Sequence, residues 1–156
     1  MTGFRRASLG GAALAAVLAA GAVVVACGGS GHPTAAKLSV TNPYIPLPAG
    51  DGMAAAYLTV ENQGGSPDTL VKVTSPGASS ITLHRSTDTT MEEVSDLPVP
   101  ADGELQLSRG GLHLMIMGWQ RKPAVGDQLE LDLTFAHSGT IAVQVPVKPL
   151  TYRPGS

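Results

Sequence analysis

From Lys37 onward, apolar residues alternate with polar ones over short spans, and clusters of Gly, Pro, Asn and Asp separate those spans. Alternation with period two is the mark of a strand with one buried face. In AAYLTVEN, Leu58 and Val60 share a face; in DTLVKVT, Val71 and Val73 do; in SITLH, Ile81 and Leu83; in GELQLS, Leu105 and Leu107. DQLELDLTF sets Leu129, Leu131, Leu133 and Phe135 on one side, and TIAVQVPV does the same with Ile141, Val143, Val145 and Val147. Turn chemistry falls between these runs at NQGGSPD, SPGAS, PADG, GWQRKPAVGD and HSG. No segment in this region keeps a helical period for three turns, and no internal repeat is present. The pattern predicts an all-β domain of about eight or nine short strands, arranged as a two-sheet sandwich or a Greek-key barrel.

The beginning of the chain, up to Cys27, obeys a different rule. Arg5 and Arg6 precede an acid-free run rich in Ala, Val, Leu and Gly that stops at Cys27, which is the pattern of an export signal. Val24, Val25, Ala26 and Cys27 resemble a bacterial lipobox, in which the signal is cut before the cysteine and the cysteine carries lipid. Residues 1–26 are therefore expected to be a lipoprotein signal peptide. Residues 27–36 are expected to be lipidated Cys27 and a flexible tether, residues 37–148 the β domain, and residues 149–156 a flexible tail. The expected location is extracytoplasmic, at the bacterial cell membrane. Cys27 is the only cysteine, so the mature domain has no thiol for a disulfide, a thiolate metal site or a nucleophile. Removal of residues 1–26 takes away two arginines and no acid, leaving 8 basic against 12 acidic residues, a net charge of −4. A mildly acidic domain of this kind is a poor partner for nucleic acid.

Against this background the stretch GGLHLMIMGW stands out. Apart from the initiator and Met53, the chain has only Met91, Met115 and Met117, and two of those sit beside His113. Period two puts Leu112, Leu114 and Ile116 on one face and His113, Met115, Met117 and Trp119 on the other. The same test on SITLH turns His84 away from Ile81 and Leu83. A methionine is often a gap filler and a strand histidine is often a satisfied surface group. Here, however, the aliphatic residues already fill one face of each strand, and bare methionines on the other form an apolar patch that needs an explanation. Thioether sulfur is a soft, neutral donor that suits Cu(I) and competes poorly for zinc, calcium or magnesium, while imidazole serves copper in either oxidation state. Outside the cytoplasm a thioether also has the advantage of forming no disulfide.

YLTVEN, His84, Met91, VPADGELQL and above all GGLHLMIMG resemble the periplasmic copper chaperones called PCu(A)C, over about residues 38–147. That family's motif runs histidine, methionine, a long spacer of fixed length, then histidine-x-methionine. The interval from Met91 to His113 has the motif's length, and His113-Leu114-Met115 completes it. Two departures stand out. Arg85 follows His84 where the motif often has a second methionine, and His84 stands closer to Met91 than the motif usually has it. The resemblance implies a cupredoxin-like or Ig-like β-fold with His84, Met91, His113 and Met115 as ligands of one Cu(I) ion, and Met117 as a possible auxiliary ligand. It implies a monomeric chaperone that hands copper to an acceptor protein, either cytochrome c oxidase subunit II at the dicopper centre or another copper chaperone, while lipid holds it to the membrane. Trp119, continuing the same face, is a candidate shield against water, and a packed barrel-rim tryptophan explains it as well. His32 and His137 read as bystanders.

Other functions fit less well. No serine stands in a nucleophile-elbow context, so an enzyme is not expected. A blue-copper electron carrier needs a thiolate that the domain lacks. Copper storage or detoxification would use the same ligands, and a metal-free, lipid-anchored Ig-like binding module would fit the strand pattern alone.

Overall fold

The computed structural model of the chain describes residues 32–50 and 52–155. The segment read as a signal peptide, and Cys27, lie outside the described residues. Ten strands follow one another, with no helix among the described residues: β1 Leu38–Pro46, β2 Met53–Asn62, β3 Asp68–Thr74, β4 Ala78–Ser86, β5 Met91–Val94, β6 Leu97–Val99, β7 Gly103–Leu107, β8 Leu112–Trp119, β9 Gln128–Phe135 and β10 Gly139–Lys148. The number exceeds the eight or nine expected because the acidic segment after Met91 contributes the short strand β5, and LPV contributes β6.

The strands form one curled path, β5-β4-β8-β2-β1-β10-β9-β3-β6, with β7 added to the far half of β2. Its ends return toward each other, since β3 packs beside β4 and β6 beside β7. The result is a nearly closed barrel, which leaves few unpaired strand edges. Among the described residues only β1 and β10 pair in parallel; the other ladders are antiparallel.

The core is the set of residues that alternation selects: Leu58 and Val60 from β2, Leu105 and Leu107 from β7, Leu114 and Ile116 from β8, all four apolar residues of β9, and Val145 and Val147 from β10. Strand β3 departs from it. Val71 is exposed, whereas Leu70 and Val73 are buried. The β3–β9 register shifts between Leu70 and Lys72, so strict alternation fails there and two residues three apart both face inward. A second irregularity lies in β1 between Thr41 and Tyr44, where Asn42 adopts a φ of 50°. Asparagine tolerates that left-handed conformation better than most side chains.

Two buried polar residues tie the connections to the core. The Asn62 side chain accepts from the Lys37 and Gly64 amides and donates to the Ser66 and Pro100 carbonyls. The segment read as a tether packs on this same turn, where Thr34 Oγ1 accepts from the Gly65 amide. A side chain at Gly64 would run into the backbone of Ala35 and Lys37. Asp68, at the start of β3, accepts from the Thr69, His137 and Ser138 amides and from the His137 and Ser138 side chains. Burial alone would raise its pKa, but these hydrogen bonds outweigh burial and lower it from 3.8 to about 2. His137 is thus a partner of Asp68 and has a structural role. At the other end, Tyr152 rests edge-on against Tyr44, and Arg109 donates to the Leu150 carbonyl, so the segment after β10 is held against β1.

Candidate metal centre

The face of β8 that points away from the core carries the candidate ligands because Leu114 and Ile116, fully buried, take the other face. Its neighbour on one side is β4 and on the other β2. Register then decides which side chains meet. His113 lies directly opposite His84, Met115 opposite Thr82, and Met117 opposite Ser80. On β5, Met91 lies opposite Ser86 and Glu93 opposite His84. His84, Met91, His113, Met115 and Met117 therefore all project from one face of a β5-β4-β8 ladder.

The two histidines form the centre of this group. Their rings are stacked, 5.7 Å between centroids and 25° between planes. With a metal–nitrogen bond of about 2 Å and the ring centre about 1 Å behind the nitrogen, two imidazoles on one ion hold their centroids about 5–6 Å apart. The observed separation falls in that range. His113 is only 5% exposed, and its Nδ1–H donates to the Gly111 carbonyl at 3.1 Å. A carbonyl can only accept, so the proton is on Nδ1 and Nε2 carries the free lone pair. Orientation of a ligating imidazole through its other nitrogen is the usual support for a metal site. His84 Nε2 is 2.8 Å from Thr82 Oγ1, while its Nδ1 is buried and has no hydrogen-bond partner among the described residues. When Nε2–H donates to Thr82, Nδ1 is a desolvated lone pair, which a cation can satisfy.

The remaining donors are graded by distance. Met115 is one diagonal step from His84 and one alternate residue from His113, about 7 Å at Cα. Met91 shares the face but opens β5, one strand beyond β4, and is 55% exposed. Met117 is four residues along β8 from His113, about 13 Å away. Trp119 does not continue the ligand face. Gly118 has a φ of 66° and sits tight against Ser79, and beyond this bend Trp119 packs on the core. There it lines a cleft of about 200 Å³ with Gly77, Arg121, Pro123 and Leu129. Its place is therefore away from the histidines, which fits the packed rim tryptophan and not the shield, because the positive φ of Gly118 breaks the pleat. Among the described residues no three His, Asp or Glu side chains come together as a hard-metal site would require. Beside the imidazoles, this face offers the thioethers of Met115, Met91 and Met117 and, opposite His84, the Glu93 carboxylate; a soft ion would favour the thioethers.

Two features escaped the sequence. Thr82 partners His84; period two does place them on one face, but the hydrogen bond itself gives no sequence signal. The second feature is a row of rings across the sheet: Tyr44 is 5.2 Å from Tyr57, and Tyr57 is 6.5 Å from His113. These tyrosines cover the flank of His113. Desolvation raises the pKa of Tyr57, with Arg109 opposing and Tyr44 adding to the rise, so its hydroxyl stays neutral. The Arg109 guanidinium lies 5.9 Å over the same ring.

Comparison with known proteins bears on the same region. The LpqE-like family, described as "Putative lipoprotein LpqE-like", matches residues 38–147. "Putative lipoprotein Lxx21020" of Leifsonia xyli subsp. xyli is 37% identical over 105 residues, 64% of this chain, and the match spans 63% of that relative's length. Among solved structures, the solution structure of CuI-DR1885 from Deinococcus radiodurans is 30% identical, with a TM-score of 0.58 over 78% of this chain and 83% of that one. The copper-bound PCuAC domain from PmoF2 is 22% identical, with a TM-score of 0.64 over 76% of this chain and 98% of that domain. The chain belongs to the LpqE-like family, and its ten-stranded barrel is the PCuAC fold.

Proposed function

We propose that the protein is an extracytoplasmic Cu(I) chaperone, held to the membrane by lipid on Cys27, that carries one ion between His84, His113 and Met115, with Met91 closing over it from β5. The observation that carries this reading is the stacked histidine pair: His84, whose buried Nδ1 has no partner among the described residues, lies opposite an oriented His113 on the strand face that carries the thioethers. The solved structures of similar fold that hold copper, CuI-DR1885 and the PmoF2 domain, support the choice of cargo.

The donor set also suits transfer. Imidazole and thioether are neutral, so the ion keeps its full positive charge in the site and gains when an acceptor supplies a thiolate. His113 and the Nδ1 of His84 are buried, but Met91 is 55% exposed, so an incoming ligand can attack from its side before the histidines let go. Met91, on a short exposed edge strand, is the donor most readily displaced. The thiolate-rich dicopper centre of cytochrome c oxidase subunit II is the acceptor we favour, on the resemblance to PCu(A)C chaperones.

The test is an anaerobic titration of the full-length chain in detergent with Cu(I) against a competing chelator. Tight binding that is weakened at least about 100-fold in both His113→Ala and Met115→Ala is expected, more than loss of a merely supporting contact would give. Affinity unchanged in both variants would remove the assignment.

A further inference from the structure

Met53 was not singled out by the sequence, yet the fold places it in the same row of thioethers. It is the first residue of β2 and pairs directly with Met117 of β8, as Ala55 pairs with Met115. Ala54 and Ile116, the inward neighbours of the two methionines, are buried, so Met53 and Met117 both project from the outer face. Met53 is 61% exposed, a large apolar side chain left in water. All four methionines after the initiator thus lie on one face of the β5-β4-β8-β2 ladder.

Directly opposed side chains on antiparallel strands have their Cβ atoms about 5 Å apart. Two flexible thioethers at that spacing can close on one ion. Ala55 contributes only a methyl group on the next rung, so the space beside Met115 is open to Met53 and Met117. Across the other ladder Met117 faces Ser80, a hard oxygen donor that adds nothing for a soft ion. No carboxylate or imidazole shares the Met53–Met117–Ser80 rung, which disfavours zinc, calcium and magnesium there.

We infer that Met53 and Met117, with Met115 as the shared third donor, form a second, thioether-only Cu(I) site, weaker than the histidine centre and leading to it. This inference rests on the copper reading of His84 and His113. The ion would arrive at exposed Met53 and its half-buried partner Met117, pass to Met115, and settle where imidazole nitrogens replace sulfur. The step exchanges neutral ligands around an unchanged Cu(I), so no electron or proton has to move with it.

The experiment uses the full-length chain in detergent, labelled with ¹³C at the methionine methyls and titrated anaerobically with Cu(I). The first equivalent is expected to move the Met115 resonance, and a second, more weakly held equivalent to move Met53 and Met117. Met53→Leu and Met117→Leu, each keeping an apolar side chain of similar volume, are expected to abolish the second equivalent, and Met53→Leu to leave the first within about threefold of its original affinity. One equivalent with the Met53 and Met117 methyls unmoved at saturation would overturn the second site and leave the chaperone reading standing. So would two equivalents retained in both variants. Failure of the chain to bind even one equivalent would overturn both.

Discussion

Replacing His84 by phenylalanine separates a metal ligand from an ordinary packed ring. In the metal-free protein the buried Nδ1 of His84 lacks a hydrogen-bond partner among the described residues, a defect that costs about 1–3 kcal/mol. Phenylalanine keeps an aromatic ring against His113 and removes that atom. It also removes the hydrogen bond between Nε2 and Thr82 Oγ1, worth about 0.5–1.5 kcal/mol. Thr82 is only half-buried, so water can take over its hydroxyl. The balance predicts that His84→Phe leaves the apo protein unchanged or stabilises it by up to about 2 kcal/mol, a rise in Tm of several degrees for a domain of this size. The same substitution should weaken Cu(I) binding by more than about 100-fold. Thermal unfolding by circular dichroism, with and without Cu(I), reads both effects: the variant should melt no lower than the parent without metal and should lose the copper-dependent rise in Tm. A variant that melts several degrees lower in the apo form, yet keeps the full copper shift, would show that His84 is a packing residue and that the orphaned nitrogen is not a ligand.

Three further outcomes follow from the same structure. Met115→Leu should weaken Cu(I) more than Met91→Leu, because Met115 is one step from both histidines whereas Met91 is exposed on β5; chelator competition on the two variants ranks them. The lowered pKa of Asp68 means that its carboxylate stabilises the fold above about pH 4 and loses that contribution as pH falls toward about 2. A shift from 3.8 to about 2 corresponds to roughly 2 kcal/mol, so Asp68→Asn should lose stability of that order at neutral pH and flatten the acid limb of a denaturant-stability profile. Leu114→Ala, at a fully buried position directly beneath the His113–Met115 face, should cost about 2–5 kcal/mol in urea unfolding.

How far the sequence reached can be judged from particular residues. Alternation was sufficient for the faces of β2, β7 and β9 and of β8 as far as Met117, because each has one side against the core, and a period of two records that directly. It failed at Val71 and at Trp119. In both places a local backbone irregularity, the register shift in β3 and the positive φ of Gly118, reverses which way a side chain points without changing the residue pattern. The likeness of residues 38–147 to a known family was also legible, since the spacing from Met91 to His113 is a property of the chain itself.

The sequence alone determined that His113, Met115 and Met117 leave the core together, and that His84 does so on another strand. It did not determine that His84 and His113 are neighbours, that Met115 faces Thr82, or that Met53 pairs with Met117. Those are matters of strand order and register between segments well separated in the chain, in a path where β4 and β2 both flank β8. A slip of a single residue between β4 and β8 would keep every local pattern intact while turning His84 away from His113. Only the burial of both strands' aliphatic faces in one shared core holds the register that brings the imidazoles together.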